Sequence, residues 1–99
     1  MAMTDEQFFR ITKALSDRRR FEILRRVAAE DELGCAALTT ALPISQATIS
    51  HHLKELATAG LVKSRRESKF GFFRLCPEIL AEYLSEMRRH LPCRKAPES

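Results

Sequence analysis

The chain has no tryptophan, one tyrosine, three glycines, four prolines and three cysteines among its 99 residues, and each shortage removes a class of protein. No apolar run approaches the roughly 18 residues of a membrane span, and the opening Met1-Ala2-Met3-Thr4-Asp5-Glu6 carries no secretory signal, so no membrane partner is expected. Cys35, Cys76 and Cys93 are odd in number and have no paired spacing. They make no disulfide framework, and a reducing cytoplasm is the expected compartment. There is no glycine-rich phosphate loop and no nucleophile beside an evident base, so the chain is not expected to be an enzyme. Internal repeats and low-complexity tracts are also lacking. A chain this short makes one domain with a modest core, placed at residues 1–92, with residues 93–99 as a flexible C-terminal tail.

What is present concentrates in Ser45-Gln46-Ala47-Thr48-Ile49-Ser50-His51-His52-Leu53-Lys54-Glu55-Leu56. Ser45 is a good helix N-cap, and Ile49, Leu53 and Leu56 at i, i+4 and i+7 make one apolar stripe. The opposite face carries Gln46, Ser50, His51 and Lys54, groups suited to base edges and phosphates. Upstream, residues 36–42 read as a short helix with Ala37, Leu38, Ala41 and Leu42 turned inward, stopped by Pro43. Two helices across a tight turn, the second polar and exposed, predict a helix-turn-helix. Downstream, Gly60 ends the second helix, and residues 61–64 and 70–75 have strand composition around the polar loop Arg65-Arg66-Glu67-Ser68-Lys69. Residues 45–74 carry six cations against two anions, a surplus of four that equals the +4 of the whole chain. Positive charge gathered on one proposed surface is the footprint of a polyanion binder.

Three more helices complete the expected outline. The first runs from about 5 to 15 with Phe8, Ile11, Ala14 and Leu15 on one face, capped by Thr4 or Asp5. The second starts at Ser16 or Asp17 and places Phe21, Leu24, Val27 and Ala28 inward. Pro77 opens the last, which spaces Leu80, Tyr83, Leu84, Met87 and Leu91 as a stripe. That stripe lies beyond the hairpin, where little core remains to cover. With Phe8 and Ile11 of the first helix it is assigned to a homodimer interface. His51 is expected to face outward, and His52 to sit hydrogen-bonded at the core edge. Cys76 reads as a small buried hydrophobe. The expected class is mainly α with a small β-hairpin: a winged helix-turn-helix of five helices and a two-stranded wing, homodimeric.

In this order of elements the chain resembles the ArsR/SmtB family of dimeric bacterial transcriptional repressors. The resemblance is carried by Ala14-Leu15-Ser16-Asp17-Arg18-Arg19-Arg20-Phe21-Glu22-Ile23-Leu24, by residues 45–54, and by Gly60-Leu61-Val62 with Arg65-Arg66-Glu67 and Phe72-Phe73-Arg74-Leu75, and it spans about residues 8–91. It implies a homodimer that binds an imperfect palindrome in promoter DNA and is released by an effector. It also implies that Gln46, Ser50 and His51 face the major groove with Ser45, Ala47, Thr48 and Lys54 beside them. Arg65, Arg66 and Lys69 would hold the backbone or minor groove. At the effector sites known for the family the chain departs from pattern. Glu32-Leu33-Gly34-Cys35-Ala36-Ala37-Leu38-Thr39 has one thiol where soft-metal sensors have three. His90-x-x-Cys93 is half of the zinc pattern, because Pro77-x-Ile79 stands where the other half would be. No metal and no cofactor are therefore expected. Cys35, His90 and Cys93 are the candidates for sensing, and the sequence names no effector. The alternatives to an effector-released repressor are a winged-helix protein-interaction module without DNA binding and a thiol-based redox or reactive-sulfur sensor of the same family.

Overall fold

The computed structural model describes residues 3–94 of the chain, in the order α1 (Asp5–Leu15), α2 (Arg18–Ala28), β1 (Leu33–Gly34), α3 (Cys35–Ala41), α4 (Gln46–Thr58), β2 (Val62–Glu67), β3 (Phe70–Leu75) and α5 (Pro77–His90). Of the tail expected at 93–99, residues 95–99 lie outside the described residues. No helix is long and apolar enough to cross a membrane.

Local chemistry sets the helix boundaries. Thr4 caps α1 by accepting the Gln7 amide at 3.1 Å, and Asp17 caps α2 by accepting the Arg20 amide at 2.9 Å. That amide is the main reason the Asp17 carboxyl is held below the usual carboxylate range. Leu42, before Pro43, is extended and ends α3. α4 ends in a Schellman turn: the Gly60 amide donates to Ala57, the Leu61 amide donates to Leu56, and Gly60 takes φ 87°. A side chain at Gly60 would be strained there and would meet the Gln7 amide group at 3.2 Å.

The core sits under α4. Ile49, Leu53 and Leu56 are fully buried against Ile11, Ile23, Val27, Leu38 and Leu61. Removing surface of this size from water is worth about 1.5–3 kcal/mol per side chain. Cys76 is buried at the β3–α5 junction, as its setting predicted.

The structure corrects several expectations. The wing is a three-stranded antiparallel sheet of order β1-β3-β2, since Leu33 and Gly34 pair with Phe73 and Phe72. A two-residue strand leaves no alternation to detect. The hairpin loop is shorter than expected, because β2 runs on to Glu67 and only Ser68 and Lys69 remain in the turn, Ser68 with φ 56°. On α2 the buried face is Ile23, Leu24 and Val27, while Phe21 and Ala28 are exposed. On α3 only Leu38 is buried, and Ala37 and Ala41 face solvent.

The proposed dimer stripe also divides. Phe8, Ile11 and Tyr83 belong to the chain's own core: Ile11 has 0% of its surface exposed, and Tyr83 stacks on Phe8 at 5.0 Å. The Tyr83 hydroxyl meets that of Thr12 at 2.8 Å, fixing α5 to α1. At about 100° per residue, Leu80, Leu84, Met87 and Leu91 lie on an adjacent ridge of α5. There Leu84 and Leu91 are 52% and 66% exposed, and Leu80 and Met87 are half-buried.

His52 is packed as expected but not hydrogen-bonded as expected, because its buried Nδ1 has no protein partner among the described residues. Burial holds its pKa below the ordinary 6.5, outweighing the Asp17 carboxylate, which acts in the opposite direction. A folded state that prefers neutral imidazole is fully stabilised above pH 6.5 and loses that stability as pH falls below it. Thermal melts between pH 7.5 and 5.5 should therefore show a steeper loss for the native chain than for His52→Gln. Parallel curves would contradict this role.

Candidate nucleic-acid interface

The buried stripe of α4 determines which of its residues can meet a ligand. With Ile49, His52, Leu53 and Leu56 inward, the outward ridge holds Gln46, Ala47, Ser50, His51 and Lys54, all exposed. Ser45 and Thr48 are also exposed, but their hydroxyls serve the cap. The Ser45 Oγ accepts the Thr48 amide at 3.2 Å and donates to the Thr48 Oγ1 at 2.9 Å. The groups free to recognise a partner are thus Gln46, Ser50, His51 and Lys54, with Ala47 offering a methyl. They have the sizes and polarities that fit a major groove.

On one flank of this ridge stands the wing. A cleft separates Ser50, Lys54 and Ala57 of α4 from Ser64, Arg65, Arg66 and Phe73 of the hairpin. Strand alternation separates the two neighbouring arginines. Val62, Ser64 and Arg66 pair with Leu75, Phe73 and Gly71 on the face turned to α4. Lys63, Arg65 and Glu67 pair with Arg74, Phe72 and Phe70 on the opposite face. Lys69, in the turn, borders a groove shared with Gln46 and Cys35.

Arg65, expected to hold the DNA backbone or minor groove, is also engaged within the protomer. Its Nε and Nη2 donate to the two Glu32 oxygens at 3.0 and 2.6 Å, its Nη1 donates to Glu67 at 3.0 Å, and its carbon lies 4.8 Å from the Phe72 ring centre. The guanidinium holds the Glu32 carboxyl below the usual carboxylate range and is itself held firmly charged. Arg65 is a strut between the wing and the loop before β1, with three of its five N–H donors engaged. Arg66 and Lys69 make no ion pair among the described residues.

On the other flank, Lys13 of α1 and Arg20 of α2 line the groove that contains His51 and Glu55. These cations were missed because nothing in their own spacing shows that α1 runs beside α4. His51 is exposed as expected, 6.0 Å from the His52 ring. Among the sensing candidates, Cys35 Sγ lies 3.9 Å from the Ser50 Oγ, so it touches the outward ridge. His90 turns into the α1–α5 contact, 4.6 Å from the Phe8 ring centre and 3.7 Å from the Asp5 carboxylate. Cys93 is exposed beyond the end of α5. The described residues contain no group of three or more His, Cys, Asp or Glu placed to hold a metal ion.

Comparison with known proteins agrees with this geometry. A family model described as a helix-turn-helix domain matches residues 15–65. The arsenic resistance transcriptional regulator ArsR1 of Pseudomonas putida is 39% identical over 69 residues, 70% of this chain and 54% of that protein. The chain thus spans about half the length of that relative. An ArsR-like transcriptional regulator from Rhodococcus superposes with a TM-score of 0.78 at 28% identity, covering 86% of this chain and 79% of that one. The homodimeric winged helix-turn-helix DNA-binding domain of a Mycobacterium bovis protein, in solution, gives a TM-score of 0.71 at 24% identity, a likeness of fold alone. It covers 100% of this chain and 99% of that one.

The two arginines should separate in a binding experiment. Arg66→Ala should weaken binding to duplex DNA of any sequence and make the slope of log K against log salt shallower by about one for each protomer bound. Arg65→Ala should leave the slope unchanged and lower the melting temperature. Equal effects on the slope would place both arginines on phosphate.

Proposed function

Since the chain belongs to the ArsR family of winged helix-turn-helix transcriptional regulators, and so is a DNA-binding regulator and not an enzyme, we propose that it is a repressor acting as a homodimer on a palindromic promoter site. The observation that carries this reading is the outward ridge of α4, with Gln46, Ser50, His51 and Lys54 unobstructed and Arg66 across the cleft. In the proposal Gln46, Ala47, Ser50 and His51 read base edges. Lys54, Arg66 and Lys69 neutralise phosphates beside them. An effector releases the dimer, no metal or cofactor is part of the reading state, and the protein works in the cytoplasm.

Dimerisation is assigned to the outer ridge of α5, where Leu80, Leu84, Met87 and Leu91 form a partly exposed apolar strip. The homodimeric state of a domain of the same fold supports a dimer, and the placing of its interface rests on this exposed strip. A two-fold dimer uses the same patch from both chains and sets two α4 helices about one DNA turn apart.

Selection from a pool of random duplexes should enrich an inverted repeat whose half-sites lie about one helical turn apart. Leu84→Glu, placed on an exposed side chain so that the protomer core stays intact, should sediment as a monomer and enrich nothing. Enrichment of an unsymmetric motif, or a Leu84→Glu dimer that still selects the repeat, would overturn the dimeric repressor.

A further inference from the structure

Phe21, expected to face inward, has 44% of its surface in solvent. On α2 it forms an outward stripe with Arg18 and Arg25 at i, i+3 and i+7, on the side away from buried Ile23, Leu24 and Val27. Its ring borders a groove of about 740 Å³. The apolar part of the lining is Leu15 at the end of α1, Phe21, and Leu42, Pro43 and Ile44 from the turn that leads into α4.

The rim of this groove is cationic. Arg18, Arg19 and Arg25 line it against one acid, Glu22. Glu22 is already engaged by Arg25 at 3.4 Å and by Arg26 at 3.6 Å. Arg18 and Arg19 make no ion pair among the described residues. A DNA backbone would satisfy the guanidinium groups and leave the apolar lining with nothing to bury. Arginine and an aromatic ring around a depression of mixed polar and apolar lining are instead the composition of a protein-binding hot spot.

We infer that this groove docks an acidic peptide segment bearing a large apolar anchor, a binding surface separate from the DNA-reading ridge. The anchor sits among Leu15, Phe21 and Ile44, and flanking carboxylates accept from Arg18 and Arg19 in the paired geometry that guanidinium favours. Exposed ion pairs contribute little affinity, so the anchor supplies most of the binding and the charges set orientation and encounter rate. The segment would rest on Leu42-Pro43-Ile44, in the turn that leads into α4. This surface stands whether or not the dimeric repressor reading holds.

The test uses the full chain and a short fluorescein-labelled peptide of glutamates around a central Phe-Leu pair. Its companion has serines in place of that pair. The first peptide should shift backbone amides at residues 15–25 and 42–44, and the serine peptide should bind at least about tenfold more weakly. Phe21→Ala and Arg18→Gln/Arg19→Gln should each weaken the first peptide about fivefold to tenfold while duplex DNA binding stays within about twofold. The amide spectra of both variants should remain those of the folded chain away from the substitutions. Equal binding of the serine peptide, or shifts confined to residues 45–54 and the wing, would overturn the proposal. A tenfold loss of DNA affinity in Arg18→Gln/Arg19→Gln would assign the strip to phosphate instead. A changed oligomeric state in Phe21→Ala would assign the groove to a second copy of the chain.

Discussion

The recognition ridge depends on how α4 is seated. Ile49, Leu53 and Leu56 are each 0–1% exposed in a core built from all four other helices and the foot of the hairpin. Losing any one of them would cost about 2–5 kcal/mol in a domain whose whole stability is of order 5–15 kcal/mol. Rotation of α4 about its axis is therefore forbidden. The residues roughly opposite that stripe, Gln46, Ser50, His51 and Lys54, are held outward whether or not a ligand is there. A pre-set recognition surface needs no ordering when the partner arrives.

The hairpin uses a second constraint, the period-two alternation of a strand. Arg65 and Arg66 are adjacent in the chain and point to opposite faces of the sheet. Both border the cleft beside α4, and Arg65 also ties β2 to Glu32 and Glu67. The wing thus gains its placement from Arg65, while Arg66 makes no ion pair among the described residues. The same division of labour appears on α5. Tyr83 and His90 face α1 within the protomer, while the neighbouring ridge with Leu84 and Leu91 stays open.

Much of this was legible in the sequence because it rests on local signals. The Ser45 cap, the α4 stripe, Gly60 at the helix end and the hairpin composition each depend on residues a few positions apart. What escaped depends on distant contacts. The ion pair between Arg65 and Glu32 spans 33 positions and leaves no periodic trace. The strand Leu33–Gly34 is too short to alternate. A stripe such as Phe8, Ile11 and Tyr83 has the same spacing whether it faces its own core or a partner, so periodicity alone could not decide between them. On α2 the apolar residues Phe21, Ile23, Leu24, Val27 and Ala28 allow two choices of inner face. Packing against α4 selected the one that leaves Phe21 outside.

The central claim is that one face of the molecule, the α4 ridge together with the α4-facing side of the wing, receives DNA. Mapping backbone amide shifts of the full chain as a duplex is titrated tests it most directly. The account predicts the largest changes at residues 45–54, at Ser64 and Arg66, and at Lys69, with Lys63, Arg65 and Arg74 little affected. Changes centred on the back of the hairpin or on α5, with α4 unmoved, would contradict it.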